Sequence, residues 1–593
     1  MIPMKKSGRR MPSSVRAVLA LVLLLALACP AQALASSYSL LGEGKLTPVK
    51  NQGAYGIGWA FSAVSAIESN QLIKYGTTED YSELHLGYSA FNNAQADPLG
   101  GTAGDTISCL GWTFASVGST HLHGALPSQA VTALATWRGL VDDATAPYSG
   151  AATADAGTSP VANPYANVTA HLQNSYSVPL GDRAEVQALI KQMGGATILF
   201  YADDSTYNPT THAWYNGTYS IFNDAVTLVG WDDDYSADNF GGADGTGAKP
   251  SSNGAWLVRN SWGSGWGDGG YFWLSYEDAS LTQVSSLVSS VTGVATPEAY
   301  FYDVEPASNY DHNYQYDGGT TTVWYQGPSG GTVANVYKAT GTQDVDAVGF
   351  FTNATNIGYT VSVYANPMST NDPSSGTPVA SAPGTEAYRG YHTVVLDAPA
   401  RLDMDETFAV AITLTSSDGS NVSFAADQTT GLAEEYVTDT LSQTTQKAGQ
   451  SFYRVGSTGS SWYDMASSST TVRIKAFTTD TTSEVLSYHT AMTGVTAPDP
   501  EGAGSFREID YPGAYVMLNE TSGTSDDQPK VSGNDIGSST VTYDGTAYTF
   551  VGWSTVAPSA NASFTGSAIG STDYLRSPTA PLPAAGVLRH LFF

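Results

Sequence analysis

The chain has 593 residues, room for three or four domains of ordinary size, which excludes a single small binding module. Charged residues make up only 13%, against a usual value of about 25%, while glycine alone numbers 61, a composition that suits a neutral, polar, strand-rich extracellular surface. The net charge of −30 sets up a field that repels nucleic acid and anionic membrane surfaces, and neither is expected as a partner.

At the N-terminus, Lys5, Lys6, Arg9, Arg10 and Arg16 precede an apolar run over 17–28 and an Ala33-Leu34-Ala35 site, with no acidic residue among the first 35. Those are the parts of a secretory signal, and cleavage is expected after Ala35. The apolar run is too short for a bilayer span, so no membrane span is expected in the mature chain, whose charge is near −35. Cys29 leaves with the signal. Cys109 then stands alone, which excludes an intramolecular disulfide, and it reads as a small buried apolar residue.

Over 59–75, apolar residues recur at Phe61, Val64, Ala66, Ile67 and Leu72, and Gly and Pro are held off until Gly76, the pattern of a helix with a natural stop. Segments 129–137 and 184–193 read as further helices. Residues 196–201 read as a strand by their apolar and β-branched content. From about 300 to 480 the pattern becomes short alternating runs, such as 347–351, 359–364, 392–396 and 407–414, split by Gly, Ser, Asn and Pro, which argues for a β-sandwich. Past Asp480 the chain is rich in Pro, Gly and Ser, with one small β repeat, or a linker with one hairpin, at 541–554. Leu582-Pro583-Ala584-Ala585-Gly586 is similar to a sortase signal. Only 587–593 follow it, far short of the roughly 20 apolar residues of a membrane-held tail.

The segment Asn51-Gln52-Gly53-Ala54-Tyr55-Gly56-Ile57-Gly58-Trp59-Ala60-Phe61-Ser62-Ala63 runs into the first helix. It resembles the nucleophile segment of papain-family cysteine peptidases, in which a Gln, a Gly-rich turn and a Cys-Trp pair open a long buried helix. Tyr81-Ser82-Glu83-Leu84, Ala146-Pro147-Tyr148-Ser149, the runs at 223–231 and 255–263, and Gly265-Trp266-Gly267-Asp268-Gly269-Gly270 continue the resemblance in family order over about 45–280. It implies an α+β papain-like fold of two subdomains. Tyr314-Gln315-Tyr316-Asp317, Val361-Ser362-Val363-Tyr364 and Arg473-Ile474-Lys475-Ala476-Phe477 are similar to the lectin-like domain that follows papain-like domains in some bacterial secreted proteins. The expected plan is a signal at 1–35, a papain-like domain at 36–295, a lectin-like β-sandwich at 296–480 and a small β-rich C-terminal region at 481–593.

A thiol peptidase needs a nucleophile, a base that holds it as thiolate, a group that orients the base and donors for the oxyanion. The resemblance puts Gln52 at the oxyanion position and Asn260 at the orienting position, shielded by Trp262. It puts Gly58 at the nucleophile position and Asp224 at the base position. Glycine has no side chain, and a carboxylate cannot replace an imidazole held through one nitrogen. Losing the nucleophile alone costs about 10⁶ in turnover in a well-studied serine protease, so no thiol proteolysis is expected. The reading is a secreted or cell-wall-associated pseudoenzyme that takes a peptide or protein ligand in the papain-like cleft, or a glycan through the lectin-like domain, without cofactor or metal. The alternatives are an active peptidase by displaced chemistry, with Cys109 beside His121 or His123, or with Asp224 as a base for water, and a glycan adhesin stacking sugars on Trp324 or Trp462. Asp232, Asp233, Asp234 and Asp238 read as solvated loop charge, with calcium binding as the lesser option.

Overall fold

A computed structural model describes residues 35–91, 121–122, 124–163, 165–219, 221–284, 296–318, 322–369, 371–428, 447–456 and 461–481, together with the backbone of short strands within 430–442 and 488–592. Most of the signal-like segment, Cys109, His123 and the Leu-Pro-Ala-Ala-Gly tail lie outside the described residues.

The first long helix is Gly58–Lys74, one residue earlier at each end than its apolar pattern suggests, and every residue from Gly58 to Gln71 is buried. A helix buried on all sides must find partners for its polar residues. Ser69 Oγ accepts from Gly195 N at 2.7 Å, Asn70 Nδ2 donates to Met193 O at 2.9 Å, and Glu68 accepts from Tyr81 N at 3.0 Å. The chain leaves the helix through Gly76 in the left-handed region, where a side chain would be strained. Pro127–Ala135 and Arg183–Met193 supply the second and third expected helices.

The main sheet has thirteen strands. Asp224–Asp232 pairs with Ala196–Phe200 on one side and with Ala255–Arg259 on the other, and Ala255–Arg259 continues to Tyr271–Ser275. Two of the longer strands went unread in the sequence. Ala170–Pro179 is too mixed in polarity to show a period, and Glu298–Pro306, beyond the expected break at 295, pairs with it along its length.

The sheet runs without interruption into the lectin-like region. Arg389, Gly390 and Tyr391, at the start of Arg389–Leu402, pair with Ser177, Tyr176 and Ser175. At this joint Gly390 has φ 142°, and a Cβ on it would fall 1.8 Å from Ser175 O, so only glycine lets the two strands meet. Beyond the joint, Gln343–Thr352, Lys475–Asp480 and His312–Tyr314 complete the sheet. A six-stranded sheet built on Ile357–Ala365, Thr407–Ser416 and Thr332–Lys338 packs over it, and Val348 and Phe350 from one sheet share a core with Val361 and Phe408 from the other. The short runs of the sequence are therefore real strands, one layer of which belongs to the same sheet as the papain-like part. Thr540–Tyr543 and Thr546–Thr549 pair as an antiparallel hairpin.

Candidate functional site

Short antiparallel contacts bring the candidate residues together. Gln52 N donates to Ser261 O at 2.8 Å, Gly263 N donates to Lys50 O at 3.1 Å, and Asn51 bridges to Trp262. These bonds hold the turn that opens the buried helix against the end of Ala255–Arg259. Asp224 starts the neighbouring strand and so stands beside the helix N-terminus.

Position 58 is bare, and its surroundings have closed on it. A Cβ there would lie 2.9 Å from Gln52 Oε1, 3.0 Å from Asp224 Oδ1 and 3.5 Å from Ala225 O. Gln52 Nε2 donates to Tyr55 O at 2.9 Å, and Ser261 Oγ donates to Gln52 Oε1. A backbone carbonyl only accepts, so Tyr55 O fixes which end of the amide is nitrogen. The Gln52 atom nearest to position 58 is consequently an acceptor, not the N–H that an oxyanion would use.

Asp224 Oδ1 accepts from Ala225 N at 2.8 Å, while Oδ2 is buried and has no hydrogen-bond partner among the described residues. The residue as a whole is half-buried, but its carboxyl is not well hydrated. Burial pushes it up to about 7, opposed only by that backbone hydrogen bond. Asn260 Oδ1 accepts from Ser261 N at 2.7 Å and its buried Nδ2 is unpaired. Trp262 packs edge-on against Trp266, ring centres 4.8 Å apart, and lies 6.4 Å from Trp214. Gln52, Gly58 and Asp224 thus meet at one point, with Asn260 and Trp262 on the adjoining strand end.

An ionic group behind this point, with Glu68 and Glu83 buried and Asp80 exposed, was missed from sequence. Lys50 Nζ lies 2.7 Å from Glu83 Oε1, 2.7 Å from Asp80 Oδ1 and 3.3 Å from Glu68 Oε1. Burial pushes Glu83 up to about 7 even beside Lys50. Among the described residues Ser65 Oγ, Glu83 Oε2 and Asn260 Nδ2 have no hydrogen-bond partner, and all three residues line one small cavity, about the size of a water molecule. Two acids, Glu68, the one charged residue among the buried helix positions 58–71, and Glu83 next to a helix cap, were the available signal.

Among the described residues no group of three or more His, Cys, Asp and Glu is placed to hold a metal. The acidic run is engaged in its own loop: Asp232 Oδ1 accepts from Asp234 N, Asp233 Oδ1 accepts from Tyr276 Oη at 2.7 Å, and Asp238 pairs with Lys249 at 3.2 Å. His121 N donates to Asp155 Oδ1 at 2.9 Å, and its ring stacks on Tyr88. In the lectin-like region Trp324 is 39% exposed and Tyr463 62%. Trp462 is half-buried, with the Arg454 guanidinium 4.5 Å over its ring.

Asp224→Asn is expected to raise the melting temperature at pH 8 and to leave it nearly unchanged at pH 4. An unfolded aspartate ionises near 3.9 and the folded one near 7. Between those values the unfolded chain releases a proton that the native chain keeps, so this group subtracts stability as pH rises, and the full penalty is present above about 7. A neutral amide avoids a penalty on the order of 2 to 4 kcal/mol. Thermal unfolding of both proteins at the two pH values checks this, and equal melting temperatures at pH 8 would sink it.

The buried helix and the sheet beside it, with Gln52, Gly58 and Asp224 at their meeting point, define a papain-like peptidase domain, to which a lectin-like domain is joined through a shared sheet. Family comparison agrees: the papain family cysteine protease profile matches residues 37–292 and the lectin like domain profile matches residues 313–478. The chain is a papain-family peptidase domain followed by a lectin-like domain.

In solved structures, the cysteine protease and lectin-like domains of Cwp84, a surface layer associated protein of Clostridium difficile, align at 25% identity with a TM-score of 0.59, over 76% of this chain and 90% of that one. A second Cwp84 structure, after propeptide cleavage, aligns at 25% identity and TM-score 0.60, over 75% of this chain and 100% of that one. Among curated proteins, a probable cysteine protease of Arabidopsis thaliana is 26% identical over 267 residues, 45% of this chain and 65% of the relative. Cathepsin F of Mus musculus is 25% identical over 253 residues, 42% of this chain and 44% of the relative. The chain thus spans less than two thirds of the length of these curated relatives.

Proposed function

We propose that this protein is a secreted, surface-associated pseudoprotease whose papain-like cleft captures extended peptide without cutting it. The observation that carries the reading is position 58, which has no side chain and is hemmed in by Gln52 Oε1 and Asp224 Oδ1. Position 58 carries no thiol, and among the described residues no imidazole stands beside it. The walls of a peptide cleft remain: the Gln52 turn, the Ser261–Gly263 strand end and the Trp262 and Trp266 pair. Extended peptide can lie along these walls. Secretion is supported by the signal-like N-terminus, and surface association by the surface-layer location stated for Cwp84.

The purified full chain is expected to show no turnover of fluorogenic peptides and no labelling by an active-site thiol probe, while binding members of a peptide library saturably. Turnover that an alkylating reagent abolishes would restore the active-peptidase reading. A second reading, glycan adhesion by the lectin-like domain, is favoured by the exposed rings of Trp324 and Tyr463, which can stack on sugar faces. A glycan array probed with the full chain and with Trp324→Ala tests it, and an array without hits rejects it.

A further inference from the structure

Behind the cleft, three elements bring unspent polar atoms to the one small cavity. Ser65 comes from the buried helix, Glu83 opens the short helix Glu83–Ser89, and Asn260 follows the strand Ala255–Arg259. All three are more than nine-tenths buried, 5%, 2% and 2% exposed in that order, and among the described residues Ser65 Oγ, Glu83 Oε2 and Asn260 Nδ2 have no hydrogen-bond partner. Buried polar atoms are nearly always paired, so three of them around one space point to a ligand. Other polar groups on the walls are engaged. Ser62 Oγ donates to Thr197 Oγ1 at 3.0 Å, Thr227 Oγ1 donates to Ser62 Oγ at 3.1 Å, and Arg259 Nη1 donates to Thr47 Oγ1 at 3.2 Å.

We infer that this cavity is a binding site for one water molecule, which ties Glu83 and Ser65 to Asn260 at the cleft. Its size admits one such molecule. A cation is opposed by Lys50, 2.7 Å from Glu83 Oε1, and by Arg259 on the wall, while an anion is opposed by Glu83 itself. What remains is a small neutral molecule that both donates and accepts. Asn260 Nδ2 only donates and a carboxylate oxygen only accepts, so the water takes a hydrogen bond from Asn260 and gives one to Glu83 Oε2, its other proton going to Ser65 Oγ. Three bonds are the usual complement of a buried water. With Nδ2 held in this way and Oδ1 on Ser261 N at 2.7 Å, both ends of the Asn260 amide are fixed, and Ser261 Oγ carries the contact on to Gln52 Oε1. The tether exists whether or not the cleft captures peptide.

A crystal structure of the full chain, at a resolution that shows ordered solvent, tests this. One water is expected within about 3.2 Å of Ser65 Oγ, Glu83 Oε2 and Asn260 Nδ2. An empty cavity, or side chains turned to bond one another directly, overturns the site. In solution, deuteron magnetic relaxation dispersion counts long-lived internal waters, and Ser65→Thr, whose added methyl takes up the space of one water while the hydroxyl is kept, is expected to lower the count by one. An unchanged count in a folded Ser65→Thr also overturns the site. In crystals of that variant the Asn260 side chain is expected to lose its single position, and an Asn260 as well ordered as in the parent overturns the tether. A Ser65→Thr chain that does not fold leaves the decision to the crystal structure of the unaltered chain, in which the water is present or absent.

Discussion

Replacing Asp317 with alanine is expected to destabilise the whole chain by about 3 to 5 kcal/mol, the usual cost of breaking a buried ion pair from one side. Asp317 is buried where the lectin-like part meets the peptidase part. Arg473 Nη1 reaches its Oδ2 at 2.9 Å, and Lys475 Nζ donates to its Oδ1. Both cations are buried, so the substitution removes the carboxylate they share and leaves the excess charge where water cannot screen it. The neighbouring Asp427 cannot replace it. Its Oδ1 is 3.7 Å from Arg473 Nη2, and its Oδ2 already accepts from Gly318 N at 2.9 Å.

That group is tied to the other domain through Arg138, also buried. Arg138 Nη2 donates to Gly318 O at 2.9 Å, Nη1 to Ser89 O at 3.1 Å and Nε to Thr136 Oγ1 at 2.9 Å. Beside it Trp137 stacks between His171, 3.8 Å away, and Phe477, 5.4 Å away. The continuous sheet and this cluster argue for one cooperative unfolding unit. Urea denaturation followed by tryptophan fluorescence and by far-ultraviolet circular dichroism should give coincident midpoints, displaced together in Asp317→Ala. A cost below about 1 kcal/mol, or two separate transitions, would refute the shared joint.

Much of this was legible where the signal is local. The helix at 58–74 and the strands at 196–200 and 224–232 follow from their periods and bounding residues, and their order carries the family resemblance. The long-range pairings were not legible. Ala170–Pro179 has no clean alternation because its register shifts between Leu172 and Asn174, and its partner at 389–391 lies far along the chain. Asp317, Arg473 and Lys475 were visible within the lectin-like motifs, yet nothing local distinguishes a buried ion pair from solvated charge. The site divides the same way. Its four positions, Gln52, Gly58, Asp224 and Asn260, were named from sequence, and the structure brings the first three to one point. Which end of the Gln52 amide faces that point depends on Tyr55 O and Ser261 Oγ, contacts that exist only after folding.

The double substitution Gly58→Cys with Asp224→His is expected to produce a thiol peptidase from a protein proposed above to be a pseudoprotease, while neither single substitution does so. A cysteine alone at 58 meets Gln52 Oε1 and Asp224 Oδ1 at 2.9 and 3.0 Å from its Cβ, so both must shift to admit it. The sulfur then sits beside a carboxyl that raises its pKa and withholds the thiolate. Histidine alone at 224 supplies a base with nothing to activate. Together, the imidazole can take the thiol proton, and Asn260, whose Oδ1 accepts one hydrogen bond from Ser261 N and keeps a second lone pair, stands on the adjoining strand end to accept the ring's other N–H. General base catalysis is worth about 10²- to 10⁴-fold, so hydrolysis of a fluorogenic peptide should exceed the background of either single variant by about 10² or more. Alkylation should be fast at Cys in the double variant and slow in Gly58→Cys. Rapid alkylation of the single variant, or a folded double variant that neither alkylates nor turns over, would show that position 58 and position 224 no longer form a catalytic pair in this cleft.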